Sequence, residues 1–187
     1  MDSNLLKIGV IGVGHLGQHH VKHFCSIDGI NFLGLFDTNT NQANAISKKF
    51  KVKAFENIDN LIDSVDAVSI VTPTTYHASV AEKCIRKKKH VFIEKPITST
   101  IEEADKLLAL AKKNKVIVQV GHIERLNPAL RALEPYKINP KFIEITKTTE
   151  GPACSALLFE KEINNFHKLD KLNQTNVLYE NFKSLKS

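Results

Sequence analysis

Over the first two thirds of the chain, short apolar runs alternate with longer amphipathic stretches, and each apolar run stops at a residue that cannot continue it. Leu5 to Ile11 ends at Gly12, Asn31 to Phe36 at Asp37, Ala67 to Val71 at Thr72-Pro73, His90 to Ile93 at Glu94-Lys95-Pro96, and Val116 to Val120 at Gly121. Runs of this length with β-branched residues and no alternation are strands buried on both faces. The intervening stretches are helical: His15 to Ile27, Asn39 to Phe50, Asn57 to Val65, Tyr76 to Lys88, and Ile101 to Lys113 capped by Ser99 or Thr100. Val52 to Phe55 is a short strand at best. Strands separated by single helices form βαβ units with right-handed crossovers, so the expected fold is α/β, a doubly wound parallel sheet.

The first strand-to-helix turn reads Gly12-Val13-Gly14-His15-Leu16-Gly17. A GxGxxG sequence alone is a weak signal; placed after a strand and before a helix it marks a Rossmann-type dinucleotide site. The first glycine permits the tight turn, the second lets a pyrophosphate approach the backbone, and the third lets helix and strand pack closely. The helix N-terminus offers unpaired N–H groups and the positive end of the helix dipole. Asp37 ends the second strand at the spacing expected of a residue that accepts hydrogen bonds from the adenosine ribose. A carboxylate repels a 2′-phosphate, and Thr38-Asn39-Thr40 supplies no arginine to offset it. The expected cofactor is NAD rather than NADP.

Composition narrows the remaining classes. The chain of 187 residues is 42% apolar and 25% charged, ordinary for a globular protein. No apolar stretch is long enough to span a membrane, and Met1-Asp2-Ser3-Asn4 does not open a signal peptide. Cys25, Cys84 and Cys154 are far apart, without metal-ligand spacing, and the first two fall in helices where buried thiols are common; a reducing, cytoplasmic setting is expected. The net charge of +6 includes Arg86-Lys87-Lys88-Lys89, which reads as a solvated helix end rather than a nucleic-acid patch. His15, His19 and His23 share a helical face but have no carboxylate or cysteine nearby in sequence, so they read as a solvent-facing row and no metal is expected. His20 and His90 read as helix-packing and strand-start residues.

Four stretches together resemble the N-terminal half of the Gfo/Idh/MocA oxidoreductases, the glucose–fructose oxidoreductase and inositol dehydrogenase family: IGVIGVGHLGQHH, VSIVTPTTYHASVAEKCI, KKHVFIEKPITST and VIVQVGHIERLNPAL. The resemblance runs from about Lys7 to Ile145. It implies that Thr72 and Pro73 lie along the cofactor with His77 opening the next helix. Glu94, Lys95 and Pro96 correspond to the family's EKP sequence, whose lysine stands beside the nicotinamide and the substrate carbon, which makes Lys95 the candidate catalytic residue. A lysine there hydrogen-bonds the reacting hydroxyl and stabilises developing negative charge. Gly121, His122 and Arg125 fall where the family's sixth strand meets its substrate domain. They either line the nicotinamide side or, for Arg125, form an inter-domain salt bridge. The implied substrate is a sugar, cyclitol or nucleotide-sugar.

The resemblance fades after about Thr146. Asn127-Pro128 opens a helix to Tyr136, Phe142 to Thr148 reads as a strand covered on one face, and no period follows Gly151-Pro152. The Asp-xxx-His motif of the family's substrate domain does not occur, and His167 precedes Asp170 in the wrong order for it. The expected organisation is a dinucleotide-binding domain over 1–124, the start of a substrate domain over 125–150, and a divergent, loosely packed or disordered tail over 151–187. The expected protein is a shortened NAD-binding oxidoreductase with little turnover of its own, or a non-catalytic NAD-binding or interaction module; self-association is left open.

Overall fold

The computed structural model describes residues 5–132, 142–147 and 154–159. The chain divides into two compact units, Met1–His122 and Ile123–Ser187.

In the first unit, β1 (Leu6–Ile11), β2 (Ile30–Phe36), β3 (Ala67–Ile70), β4 (His90–Ile93) and β5 (Val118–Val120) form one sheet in the order β2-β1-β3-β4-β5. Every pair is parallel, as expected of a doubly wound Rossmann-type sheet. The apolar run at Val52 to Phe55 reduces to one parallel bridge, Leu35 to Ala54, on the outer side of β2. Gly34 makes that bridge feasible: its φ is +144°, and a Cβ there would run into the Lys53 carbonyl. Counting the bridge, the chain crosses the sheet in the 3-2-1-4-5-6 order of dinucleotide-binding folds, which reverses direction between β1 and β3.

The helices are α1 (Gly17–Phe24), α2 (Thr40–Phe50), α3 (Ile58–Ser64), α4 (His77–Arg86) and α5 (Ile101–Asn114). Val10, Val13, Val21, Leu35, Ala43 and Ile46 make one buried cluster beneath α1 and α2. Ile11, Leu61, Ile62, Val68, Ile70, Ile85, Ile93 and Leu107 belong to another, beneath α3, α4 and α5. Successive strand residues point to opposite faces, so neighbours Val10 and Ile11 divide between the two clusters. The α5 cap is Thr100, in a capping box with Glu103. α1 is shorter than its sequence pattern because His15 and Leu16 belong to the glycine-rich turn and Cys25 is already the C-cap. Cys25 is exposed there rather than buried, whereas Cys84 is buried and burial pushes its thiol up to about 12.

The basic run after α4 is paired off. Lys87 bridges Asp59 and Asp63 at 3.0 and 2.8 Å, Arg86 pairs with Glu82, and Lys89 Nζ donates to the Val65 carbonyl at 2.7 Å. Hydrogen bonds from Lys83 and then Lys87 hold Asp59 below the usual carboxylate range. Exposed pairs like these contribute little stability.

In the second unit, a short helix, α6 (Pro128–Arg131), precedes an antiparallel pair, β6 (Phe142–Lys147) and β7 (Cys154–Phe159), with Phe142 opposite Phe159. The sequence pattern anticipates β6 but not β7, because Cys-Ser-Ala-Leu-Leu-Phe has no alternation and only its pairing reveals a strand. β7 lies within the tail expected over 151–187; residues 151–153 and 160–187, with His167, and the rest of the helix expected to reach Tyr136, lie outside the described residues.

Two stability predictions follow from local geometry. Lys51, Lys88 and Lys115 sit at φ of 55°, 58° and 56°. A left-handed residue with a side chain costs about 1–2 kcal/mol, less the extra unfolded-state freedom of glycine. Lys115→Gly is therefore expected to stabilise the fold by about 0.5–1 kcal/mol in chemical denaturation. His90 Nδ1 accepts the Ile117 N–H at 3.0 Å, and burial lowers the His90 pKa against the opposing pull of Asp66. As pH falls below the ordinary imidazole value of about 6.5, the unfolded chain takes up this proton first. The stability present above that value is then lost toward the folded one. The melting temperature should drop between about pH 7.5 and 5.5, and His90→Gln, which does not titrate, should flatten that dependence.

Candidate functional site

One register row crosses the whole sheet: Phe36 pairs with Ile11, Ile11 with Ile70, Ile70 with Ile93, and Ile93 with Val120. The next residue on each strand is Asp37, Gly12, Val71, Glu94 and Gly121. Four of these five chain breaks are the ones that end the apolar runs in the sequence, and the fifth precedes Thr72 by one. The carboxyl edge of the sheet therefore gathers the anticipated site residues into one line, and in open α/β sheets that edge is where ligands bind.

The glycine-rich turn is held from three sides. The Gly12 N–H donates to the Phe36 carbonyl at 2.9 Å. The Val13 N–H donates to Asp37 Oδ2 at 2.8 Å, while Gln42 Nε2 of α2 donates to the Val13 carbonyl at 3.0 Å. Asp37 Oδ1 accepts the Asn39 N–H at 2.8 Å. Each oxygen of a carboxylate has about two acceptor positions, so Asp37 is both a fastener of the turn and an acceptor with capacity for two hydroxyls.

The three glycines have separate reasons. Gly12 has φ +88°, and a Cβ there would lie 2.7 Å from the Val71 carbonyl. A Cβ on Gly17 would run into Gly12 O, so its absence allows α1 to start against β1. Gly14 has nothing within 4 Å of its Cβ position. The protein does not need a glycine there for its own packing. The Gln18 N–H reaches back to Gly14 O at 3.2 Å, so the N–H groups just ahead of it have no acceptor within the helix. His15 and Leu16 are exposed beside this opening, and Thr38 is exposed beside Asp37.

At the end of β3, Thr72 Oγ1 is buried with no hydrogen-bond partner among the described residues, and Pro73 is exposed. Buried hydroxyls are nearly always satisfied, and a bound group is one way to do it. His77 is 1% exposed. Its Nε2 lies 2.8 Å from the Thr72 carbonyl and its Nδ1 2.8 Å from the Pro96 carbonyl. Both partners are acceptors, so the neutral ring donates to one carbonyl at a time, and His77 sits between the Thr-Pro loop and the Glu-Lys-Pro turn. Lys95 is exposed on that turn, its N–H donating to Glu94 Oε2 at 3.0 Å, and the Lys95–Pro96 bond is cis.

The sequence pattern missed the polar role of His20. On α1 its Nε2 lies 3.2 Å from Glu94 Oε1 and its Nδ1 3.0 Å from Ser69 Oγ, with Ser69 1% exposed. Burial lowers its pKa, opposed by the charge of Glu94, which favours the neutral ring. A carboxylate only accepts, so the neutral ring carries its proton on Nε2 and takes the Ser69 hydroxyl proton at Nδ1. The sequence pattern separates His20, as a helix-packing residue, from its exposed neighbours, but its polar partners are supplied by β3 and the end of β4. Gly121 lines the same spot, since a Cβ there would come within 3.0 Å of Glu94 Oε1 and of the Phe92 ring. Arg125 belongs to the second unit. His15, His19 and His23 are exposed, and among the described residues no three His, Cys, Asp or Glu side chains cluster as metal ligands.

A family model described as an oxidoreductase family with an NAD-binding Rossmann fold matches residues 6–122. UDP-N-acetylglucosamine 3-dehydrogenase from Acidithiobacillus ferrooxidans is 39% identical over 140 residues, 74% of this chain and 44% of that protein. Its solved structure superposes with a TM-score of 0.71 at 37% identity, over 79% of this chain and 49% of that one. Myo-inositol 2-dehydrogenase from Thermotoga maritima is 29% identical over 79% of this chain and 46% of that protein. The chain thus spans less than half the length of each of these relatives.

The division of labour among the glycines is testable without ligand. Gly17→Ala should destabilise the fold by about 3 kcal/mol or more in urea denaturation, because neither backbone can yield. Gly14→Ala should change stability by no more than about 0.5 kcal/mol.

Proposed function

Because this chain belongs to the Gfo/Idh/MocA oxidoreductase family, whose NAD-binding Rossmann domain it contains, we propose that it seats NAD in preference to NADP and presents Lys95 to the reacting carbon of a sugar-like substrate. The observation that carries this reading is the free space at Gly14 beside the Asp37 carboxylate, on one edge of one sheet. Gly12, Val13, Gly14, His15, Leu16 and Gly17 frame the phosphates, with the backbone N–H groups at the start of α1 as donors. Asp37 accepts from the ribose hydroxyls, and with Thr38 beside it there is no cation to receive a 2′-phosphate. Thr72 and Pro73 line the cofactor, and the unpartnered Thr72 hydroxyl gains an acceptor or donor there. His77 serves the same surface from behind, through the two carbonyls it engages.

Bound NAD supplies the hydride acceptor. The Lys95 ammonium hydrogen-bonds the substrate hydroxyl and stabilises negative charge on that oxygen as the carbon is oxidised. The hydroxyl proton released as the carbon gives up its hydride needs a base; Lys95 serves as that base only as its neutral amine, and as ammonium only donates. The names of the relatives favour a hydroxyl-bearing ring, and the greater identity to the UDP-N-acetylglucosamine enzyme favours a nucleotide-sugar.

A second reading, confined to these 187 residues, is an NAD-binding module without turnover of its own; they span 44% and 46% of the two relatives. Both readings require NAD binding; they part on catalysis. Positioning of a substrate contributes about 7–11 kcal/mol in enzymes, and one wall of a cleft supplies only part of that.

Calorimetric titration is expected to show NAD binding at least about tenfold tighter than NADP, the value of one charge-assisted interaction. Gly14→Val should fold normally and lose NAD binding. Asp37→Asn should narrow the preference. Tighter binding of NADP would overturn the Asp37 assignment. With UDP-sugars, inositols and sugar phosphates, this chain alone is expected to form little NADH; robust formation that disappears in Lys95→Ala would establish the catalytic reading over the module.

A further inference from the structure

The residues on either side of Lys95 are each tethered by a histidine from a different helix. Glu94 is held by His20 of α1, whose Nε2–H donates to Oε1 at 3.2 Å while Ser69 fixes the other face of the ring at 3.0 Å. Pro96 is held through its carbonyl by Nδ1 of His77, the first residue of α4, at 2.8 Å. Between these tethers, Glu94 Oε2 turns back to accept the Lys95 N–H at 3.0 Å. The His20 ring also packs on Phe92 and Phe24, with centroids 5.8 and 6.5 Å away. The glycine at position 121 leaves the room that the Glu94 carboxylate occupies.

We infer that His20 and His77 are positioning residues for Lys95, a two-sided brace that holds the backbone of the Glu-Lys-Pro turn fixed while leaving the lysine side chain free. The reaction that Lys95 serves rests on the function proposed above; the brace itself does not. The geometry argues against two plainer roles. A histidine present only to pack would not need both ring nitrogens complemented, yet His20 has an acceptor at Nε2 and a hydroxyl donor at Nδ1, and His77 has a carbonyl within reach of either nitrogen. A histidine that contacts the cofactor would turn a nitrogen to the opening, and all four of these ring nitrogens face protein oxygens instead. Both rings also reach a segment distant in sequence: residue 20 reaches 69 and 94, and residue 77 reaches 96.

The brace also connects the two halves of the site. His20 lies on the helix whose first turn faces the glycine-rich opening, and His77 is bonded to the carbonyl of Thr72. A shift of either the α1 N-terminus or the Thr-Pro loop is therefore transmitted to the residues flanking Lys95. Lys95 is exposed, and without such a tie an exposed turn would let its backbone wander.

The test is backbone nitrogen relaxation on the full chain, with NAD titrations of the same samples. His20→Phe keeps the ring between Phe24 and Phe92 and removes both nitrogens; His20→Gln restores one amide donor toward Glu94. In the unaltered protein, the order parameters of Glu94 and Lys95 should match those of β3 and β4, about 0.85. In His20→Phe they should fall to about 0.6 or below while Val68, Ile70 and Val91 keep theirs, and His20→Gln should recover most of the difference. His77→Phe, which removes both ring nitrogens and with them the donor to Pro96 or Thr72, should loosen Ile97 and Lys95 in the same way. Unchanged order at Glu94 and Lys95 in His20→Phe would overturn the brace, as would a loss spread evenly through the sheet. Absence of NAD binding by the unaltered protein would overturn the proposed function and leave the relaxation result to decide the brace.

Discussion

The row of paired residues from Phe36 through Ile11, Ile70 and Ile93 to Val120 is the constraint on which the site depends. Register in this sheet is set by packing, because a slip of one residue would exchange the side chains that each strand offers to the two separate clusters on its faces. Ile11, Ile70 and Ile93 are all essentially removed from solvent, so this row is fixed by the core and not by the loops above it. The loops inherit that alignment. Adjacent strands are about 4.8 Å apart, which places the ends of β2 and β4 about 14 Å apart across three steps. Asp37 and Glu94 thus stand at the two ends of one ruler whose divisions are set by hydrophobic packing.

Above that row, polar contacts finish what packing begins. Val13 has its N–H held by Asp37 and its carbonyl by Gln42, so the turn cannot rotate its peptide without breaking a bond on each side. At the other end, Glu94 and Pro96 are held by histidines. Between them lie an open space at Gly14, an exposed Lys95 and, among the described residues, one buried hydroxyl without a partner, that of Thr72. Water satisfies the first two, so the Thr72 hydroxyl is the group that stands out against a well-capped sheet edge.

Much of this was legible in the sequence for a physical reason. Strands that end at Gly12, Asp37, Thr72 and Glu94 do so because glycine, proline and capping residues act locally, and local preferences are what a sequence displays. The roles of Gly12 and Gly17 follow from the same turn. His20 was illegible because its meaning lies in Glu94 and Ser69, which are distant along the chain and meet it only after the sheet has formed. Val52 to Phe55 carries a strand-like composition, yet only Ala54 pairs, since Gly34 and the Lys53 carbonyl bring the chains together at a single point. β7 was missed for the opposite reason: its run is apolar without a period, and its identity as a strand comes from β6.

Under the proposed function, Asp37 chooses between cofactors with the same two oxygens that fasten Val13 and Asn39. This sharing orders the substitutions open to a descendant of this protein. A lineage that exchanged Asp37 for a neutral or cationic residue in one step would loosen the glycine-rich turn before gaining any grip on a phosphorylated ribose. The accessible route begins elsewhere, with a new acceptor for the Val13 N–H or a second tie like that of Gln42, and only then releases position 37. Cofactor preference here is historically sticky because the residue that chooses also carries mechanical load.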